Sequence, residues 1–174
     1  VIAVKNEVNG IFNTISACLE SHYPGKLECV VVDDGSTDGS KEKIIQAQKV
    51  FGSRVRLIFF AENQGKREAM AVGVNEAQNE IIVFVDSDSF LFPDALRHIT
   101  EHFLIDEQVG AVSGNTKVKN ARVNWLTKIQ SIQYAVSFDI YKTCESFYRA
   151  VTCCPGCFSA YRRVAIKPLI ENWK

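Results

Sequence analysis

The chain has 174 residues, 47% of them apolar, enough to bury the core of a single domain. Its 20 basic residues balance its 20 acidic ones, which excludes a global field that draws the molecule onto nucleic acid or an anionic surface; charge-driven recognition must be local. No apolar run approaches the roughly 20 residues that span a bilayer, and the N-terminus lacks the regions of a signal peptide. The chain starts inside an apolar run and stops at Trp173 and Lys174 without a turn or cap, which reads as a piece of a longer protein. The six cysteines, Cys18, Cys29, Cys144, Cys153, Cys154 and Cys157, are scattered through strand and helix patterns, which favours a reducing compartment over a disulfide framework.

Residues 1–4 read as the end of a buried strand, after which Val8, Ile11, Phe12, Ile15, Cys18 and Leu19 recur at helical spacing. The apolar run 27–32 is a strand closed by Asp33-Asp34-Gly35-Ser36-Thr37, and residues 44–51 suit a second helix. The unit repeats with a strand over 55–60, a polar turn over 62–66, a helix through Met70 and Val74, and a strand over 80–85. Phe92-Pro93-Asp94 opens another helix, and 109–118 is a further strand. From 122 to 147 the spacing predicts one long amphipathic helix with Trp125, Leu126, Ile129, Ile132, Val136 and Ile140 along one side. A turn-forming segment over 151–158 and a short helix from about 163 complete the chain. Strands alternating with helices predict a Rossmann-like α/β fold, its sheet mostly parallel and covered by helices on both faces. Ligands of such sheets bind beyond the carboxyl ends of the strands.

Those ends are rich in carboxylates. Asp86-Ser87-Asp88 closes the strand over 80–85. Two carboxylates at i and i+2 share one hard cation and leave its other positions to phosphate oxygens and water, as Mg²⁺ or Mn²⁺ prefers. A diphosphate-bearing substrate is implied. Asp33 and Asp34 carry acceptor oxygens suited to a uracil N–H or ribose hydroxyls. Strand-ending Asp residues also cap helices, as Ser36 or Asp38 does in the bland reading. Asn63-Gln64-Gly65-Lys66-Arg67 opens a helix, where free N–H groups and cations favour an anion; the alternative is a solvated basic turn.

Together, Lys5-Asn6-Glu7, VVVDDGSTDGS, NQGKREA and VFVDSDS resemble the inverting family-2 glycosyltransferases over nearly the first hundred residues. The segment QSIQYAVSFDIYKTCESFYRAVTCCPGCFSAYRR is similar to chitin synthases, hyaluronan synthases and rhizobial chitooligosaccharide synthases, and PGCFSAYR is closest to the chitin synthase form. The resemblance implies a single GT-A domain over 1–174, truncated, with a nucleotide-sugar half at 1–118 and the start of an acceptor half at 119–174. It implies Glu7, Asp33, Asp34, Lys66 and Asp86 as nucleotide-sugar residues, Asp86 and Asp88 as metal ligands, and Tyr134, Gly156 and Cys157 on the acceptor path. The cofactor it implies is Mn²⁺ or Mg²⁺, and the partners are a UDP-sugar, foremost UDP-N-acetylglucosamine, and a polysaccharide acceptor. The family's catalytic base is expected beyond Lys174 and its membrane-spanning segments outside this chain, which itself is expected to be soluble at the cytoplasmic face of a membrane. Ala160 stands where the family usually has Met.

Other classes compete. Cys154-Pro-Gly-Cys157 has the spacing of redox and zinc sites, but no second ligand pair follows. His98-Ile99-Thr100-Glu101-His102 matches HxxEH, though the polar face of an amphipathic helix explains it better. Tyr134, Tyr141 and Trp125 suit sugar stacking, yet aromatics at helical spacing are more often core. A nucleotidyltransferase would need a triphosphate loop that the sequence lacks, and a non-catalytic nucleotide-sugar module would keep both Asp pairs without a base.

Overall fold

In the computed structural model, which describes residues 1–170, strand β2 (Cys29–Asp33) is buried at every position. A continuously buried β-branched run suits a central strand covered on both faces. It pairs in parallel with β1 (Ile2–Val4) on one side and β3 (Val55–Phe59) on the other, so that Val31 lies between Ile2 and Leu57. Successive side chains of a strand point to opposite faces. Cys29 and Val31 accordingly pack with helices α1 (Ile11–Leu19) and α2 (Ser40–Phe51). Val30 and Val32 pack with α3 (Lys66–Glu76) and α7 (Arg163–Ile170) on the other side.

Strand β4 (Ile81–Val85) extends the sheet beyond β1. Val1 N donates to Val83 O (2.7 Å) and Val85 N–H donates to Val1 O (3.2 Å), the bond pattern of a parallel pair. β6 (Phe158–Arg162) then runs antiparallel to β4, and β5 (Ala111–Ser113) antiparallel to β6. Helix α4 (Ala95–Ile105) closes this end through Ile99 and Phe103, packed with Ala160. Two three-stranded sheets result, the parallel β1-β2-β3 and the antiparallel β4-β6-β5, joined edge to edge through the Val1 bonds in the order β3-β2-β1-β4-β6-β5; the fold is the expected α/β type, with helices on both faces of the parallel sheet.

Three local expectations change. β6 was hidden because its central residues, Ser159 and Ala160, are small and carry no apolar alternation, although both are fully buried between two partner strands. The strand expected over 109–118 is confined to Ala111–Ser113; just beyond it Gly114 N–H still donates to Phe158 O of β6 (3.0 Å), and the backbone there lies so close to the Phe158 ring that a side chain would not fit. The helix expected over 122–147 is continuous but changes pitch: α5 (Trp125–Ala135) passes through a π-helical stretch (Val136–Lys142) into α6 (Thr143–Phe147). Asn124 starts it with a capping box, accepting from Thr127 N–H (2.9 Å) while its own N–H donates to the Thr127 hydroxyl (3.1 Å). Its apolar side is not core, since among the described residues Trp125 and Ile132 remain 73% and 64% exposed. No helix of the described residues is long and apolar enough to cross a membrane.

Candidate functional site

β2 and β3 lie on one side of β1 and β4 on the other, so a crevice opens between the carboxyl ends of β1 and β4, where the strand order reverses. It holds a cleft of about 390 Å³ lined by Lys5, Glu7, Asp34, Lys66, Asp86 and Asp88, among others.

Two of the sequence motifs build one wall by interlocking. Lys5 Nζ donates to Asp34 O (2.9 Å) and Gly35 O (2.6 Å), which ties the end of β1 to the turn after β2. Asn6 turns the chain with φ of 55°, stabilised by its N–H on Ser36 Oγ (3.0 Å) and by Thr37 N–H on its Oδ1 (2.9 Å). Glu7 N–H donates to Ser40 Oγ (2.7 Å) and Val8 N–H to Asp38 (3.1 Å). Asp38 therefore organises a turn instead of capping α2; its carboxyl is held below the ordinary range, chiefly by the Ser40 hydroxyl, with help from the Val8 and Ser40 amides.

The two residues of the first Asp pair separate in role. Asp33 and Asp34 are 2% and 3% exposed. Asp33 turns onto Ser36 N–H (3.3 and 3.4 Å), whereas Asp34 borders the cleft and accepts from Gln64 N–H (2.6 Å) and Gly65 N–H (3.0 Å). Asp34 thus anchors the turn that launches α3. That helix begins at Lys66 beyond Gly65, with no side-chain cap, and both residues line the cleft, so the positive end of its dipole favours an anion there.

The second pair sits at the mouth. Thr14 of α1 donates to Ser87 O (2.9 Å) and Ser89 O (3.2 Å), and Asp86 N–H donates to Cys157 O (3.2 Å), so the turn is held from both sides. The Asp86 carboxylate meets Lys66 Nζ at 2.5 Å. Asp88 is exposed and faces Glu7, whose carboxyl is pushed up by burial and then by the negative charges of Asp88 and Asp38. This surplus of negative charge at the mouth fits a cation. Among the described residues no group of three or more His, Cys, Asp or Glu side chains is placed to hold a metal. A hard cation on Asp86 and Asp88 would take its other ligands from water or from a bound molecule's oxygens.

The expected acceptor residues divide as well. Cys157 is adjacent through its carbonyl on Asp86, its sulfur lies 3.5 Å from Thr116 Oγ1, and Gly156 packs close to Met70. Tyr134 is half-buried on α5 with its ring against Phe138 (5.8 Å). Tyr161 donates to Cys154 O (3.1 Å) and pins the 151–157 segment beside the cleft. Thr14 and Arg162 were missed: one reads as an ordinary helix position and the other as a surface charge. The competing motifs recede. All six cysteines are free, and the HxxEH residues form a polar face in which His98 and Glu101 contact Arg97 at 2.8 and 3.6 Å.

Residues 1–169 match the profile of glycosyl transferase family 2. An N-acetylglucosaminyltransferase of Rhizobium meliloti is 33% identical over all of this chain and 41% of its own length. A poly-beta-1,6-N-acetyl-D-glucosamine synthase of Staphylococcus epidermidis is 30% identical over 96% of the chain and 40% of its own length. Among solved structures, a mannosyltransferase of Pyrobaculum calidifontis, in complex with GDP-Man and Mn²⁺, superimposes with a TM-score of 0.76 at 27% identity, covering 97% of this chain and 45% of that one. The chain thus spans about two fifths of the relatives' length.

Proposed function

Because the chain belongs to glycosyl transferase family 2, we propose that it forms the donor-binding part of an inverting hexosyltransferase that extends a polysaccharide from a UDP-sugar. The single observation behind this reading is the cleft at the switch point, with Asp86 and Asp88 at its mouth and Lys66 on an uncapped helix start. Such a set of groups suits a nucleoside diphosphate paired with a divalent cation. N-acetylglucosamine is the proposed sugar, supported by the names of the rhizobial and staphylococcal relatives, and a chitin-type product by the form of the PGCFSAYR segment.

In this reading Asp34, rather than the inward-turned Asp33, borders the uridine, and Glu7 lies at the same end of the cleft. Asp86 and Asp88 would hold Mn²⁺ or Mg²⁺, which would supply positive charge to the diphosphate. Lys66 and the α3 N–H groups orient the phosphates. Gly156 and Cys157 border the path of the acceptor hydroxyl, with Tyr134 further along α5. The proton of that hydroxyl passes to a carboxylate base outside residues 1–174. The whole protein works at the cytoplasmic face of a membrane, anchored by segments outside this chain.

The test is calorimetry of UDP and UDP-N-acetylglucosamine, with and without Mn²⁺, on the chain and on Asp88→Ala. Metal-dependent binding that is lost in the variant, without sustained sugar transfer by the chain alone, is the expected result. A folded wild-type chain that binds neither ligand overturns the reading, and sustained turnover overturns the placement of the base.

A further inference from the structure

We propose that Lys66 is a tethered stand-in for the metal, neutralising Asp86 until a cation displaces it and yielding most readily when a diphosphate arrives with the cation to receive the freed ammonium. This rests on the metal-dependent donor reading above. The Lys66 ammonium and the Asp86 carboxylate are in direct contact at 2.5 Å, whereas Asp88, two residues on, projects into solvent opposite Glu7. Lys66 rests on Asp86 Oδ1, so a cation that bridges Asp86 and Asp88 through that oxygen displaces the ammonium. The released ammonium is not stranded, because Lys66 is the first residue of α3 and its neighbouring N–H groups have no side-chain cap. A diphosphate held there accepts from the helix start and from the freed Lys66. Lys66 is 57% exposed, so its side chain is free to make this exchange.

The exchange has a thermodynamic signature. Metal binding alone breaks an ion pair with no replacement, and diphosphate binding alone finds Lys66 already engaged. Bound together, each ligand removes the other's obstacle, so part of their mutual enhancement runs through Lys66, and linkage makes that part reciprocal. A lysine that acted only through its field would repel the metal and attract the phosphate but would leave their coupling unchanged.

Lys66→Gln separates the two. Mn²⁺ affinity is measured by electron paramagnetic resonance with and without UDP, and UDP affinity by calorimetry with and without Mn²⁺. Circular dichroism confirms the fold. The expected result is Mn²⁺ alone binding about three- to fivefold tighter in the variant, the scale of one partly exposed ion pair, and UDP alone binding no tighter. The factor by which each ligand enhances the other falls by a similar amount. Unchanged or weaker Mn²⁺ binding, or an unchanged coupling factor, overturns the exchange. Asp88→Asn is the control for the underlying reading: if wild type and this variant handle Mn²⁺ and UDP alike, the metal site itself is wrong and the exchange falls with it. If Asp88→Asn abolishes metal-dependent binding while Lys66→Gln changes nothing, only the exchange is lost.

Discussion

Replacing Arg162 by Met removes a charge and a planar fork while keeping most of the apolar stem. In the native chain Nη2 donates to Phe103 O (2.6 Å) and Asp106 O (3.3 Å), Nε to Val109 O (3.0 Å), and Nη1 to the Glu80 carboxylate (2.9 Å). These bonds fasten β6, and with it the 151–157 segment beside the cleft, to the end of α4. The Arg162 side chain is only 14% exposed, so water replaces few of them. One hydrogen bond to a charged group contributes about 1.5–3 kcal/mol, and bonds that share a donor group are not additive. Three carbonyls losing their partner together amount to about 3–4 kcal/mol. The Glu80 side chain is 75% exposed, so its ion pair adds at most about 1 kcal/mol. At about 2–4 °C per kcal/mol for a chain of this size, the melting temperature falls by about 6–20 °C. Urea and thermal unfolding of Arg162→Met, Arg162→Lys and Glu80→Gln measure this. Lys recovers part of the loss because it keeps the charge without the fork, and Glu80→Gln stays within about 1 kcal/mol of wild type. A loss below about 1 kcal/mol for Arg162→Met would refute the reasoning.

Asp34→Asn deprives the turn before α3 of one of two acceptors, at Gln64 N–H or Gly65 N–H; stability falls by about 1–3 kcal/mol in denaturant unfolding, and UDP binding weakens with it. Gly35→Ala forces a side chain at φ of +67° to within 2.9 Å of the Glu62 backbone, so unfolding shifts to lower urea concentration. Burial pushes the Cys18 thiol up to about 12 and the Cys29 thiol to about 11, so a thiol reagent at pH 8 modifies exposed Cys144 and Cys153 first and spares both buried residues until denaturation. Rapid native-state modification of all six, read by mass spectrometry, contradicts that core. The Glu7 carboxyl is raised above its ordinary 4.5 in the folded chain, so the fold holds more protons than the unfolded chain between the two values and loses stability as pH rises through them. Glu7→Gln therefore stabilises the ligand-free chain at pH 7 and ceases to do so below pH about 4.5, which unfolding curves across pH will check.

The alternation of strand and helix, the carboxylates at strand ends and the family resemblance were legible because each is local. Periodicities of two and 3.6 residues show in a short window, and a strand such as Cys29–Asp33, buried on both faces, has little choice but β-branched residues. Asp86, Asp88, Asp34 and Lys66 could be chosen as cleft residues on the same grounds, since the carboxyl ends of a parallel sheet are where ligands bind. Division of labour within the cleft was not legible. Nothing in the spacing of Asp33 and Asp34 tells which one turns inward. That Lys66 rests on Asp86, 20 residues away, depends on how α3 and β4 pack about β1, and that Arg162 rests on Phe103 O, 59 residues away, on how β6 meets α4. β6 escaped because a strand held by neighbours on both sides needs no apolar alternation of its own: Ser159 and Ala160 are buried by their partners. The sequence by itself determined which residues end the strands; the tertiary structure alone decided which of them touch, because long-range contact depends on the packing of elements that no local pattern records.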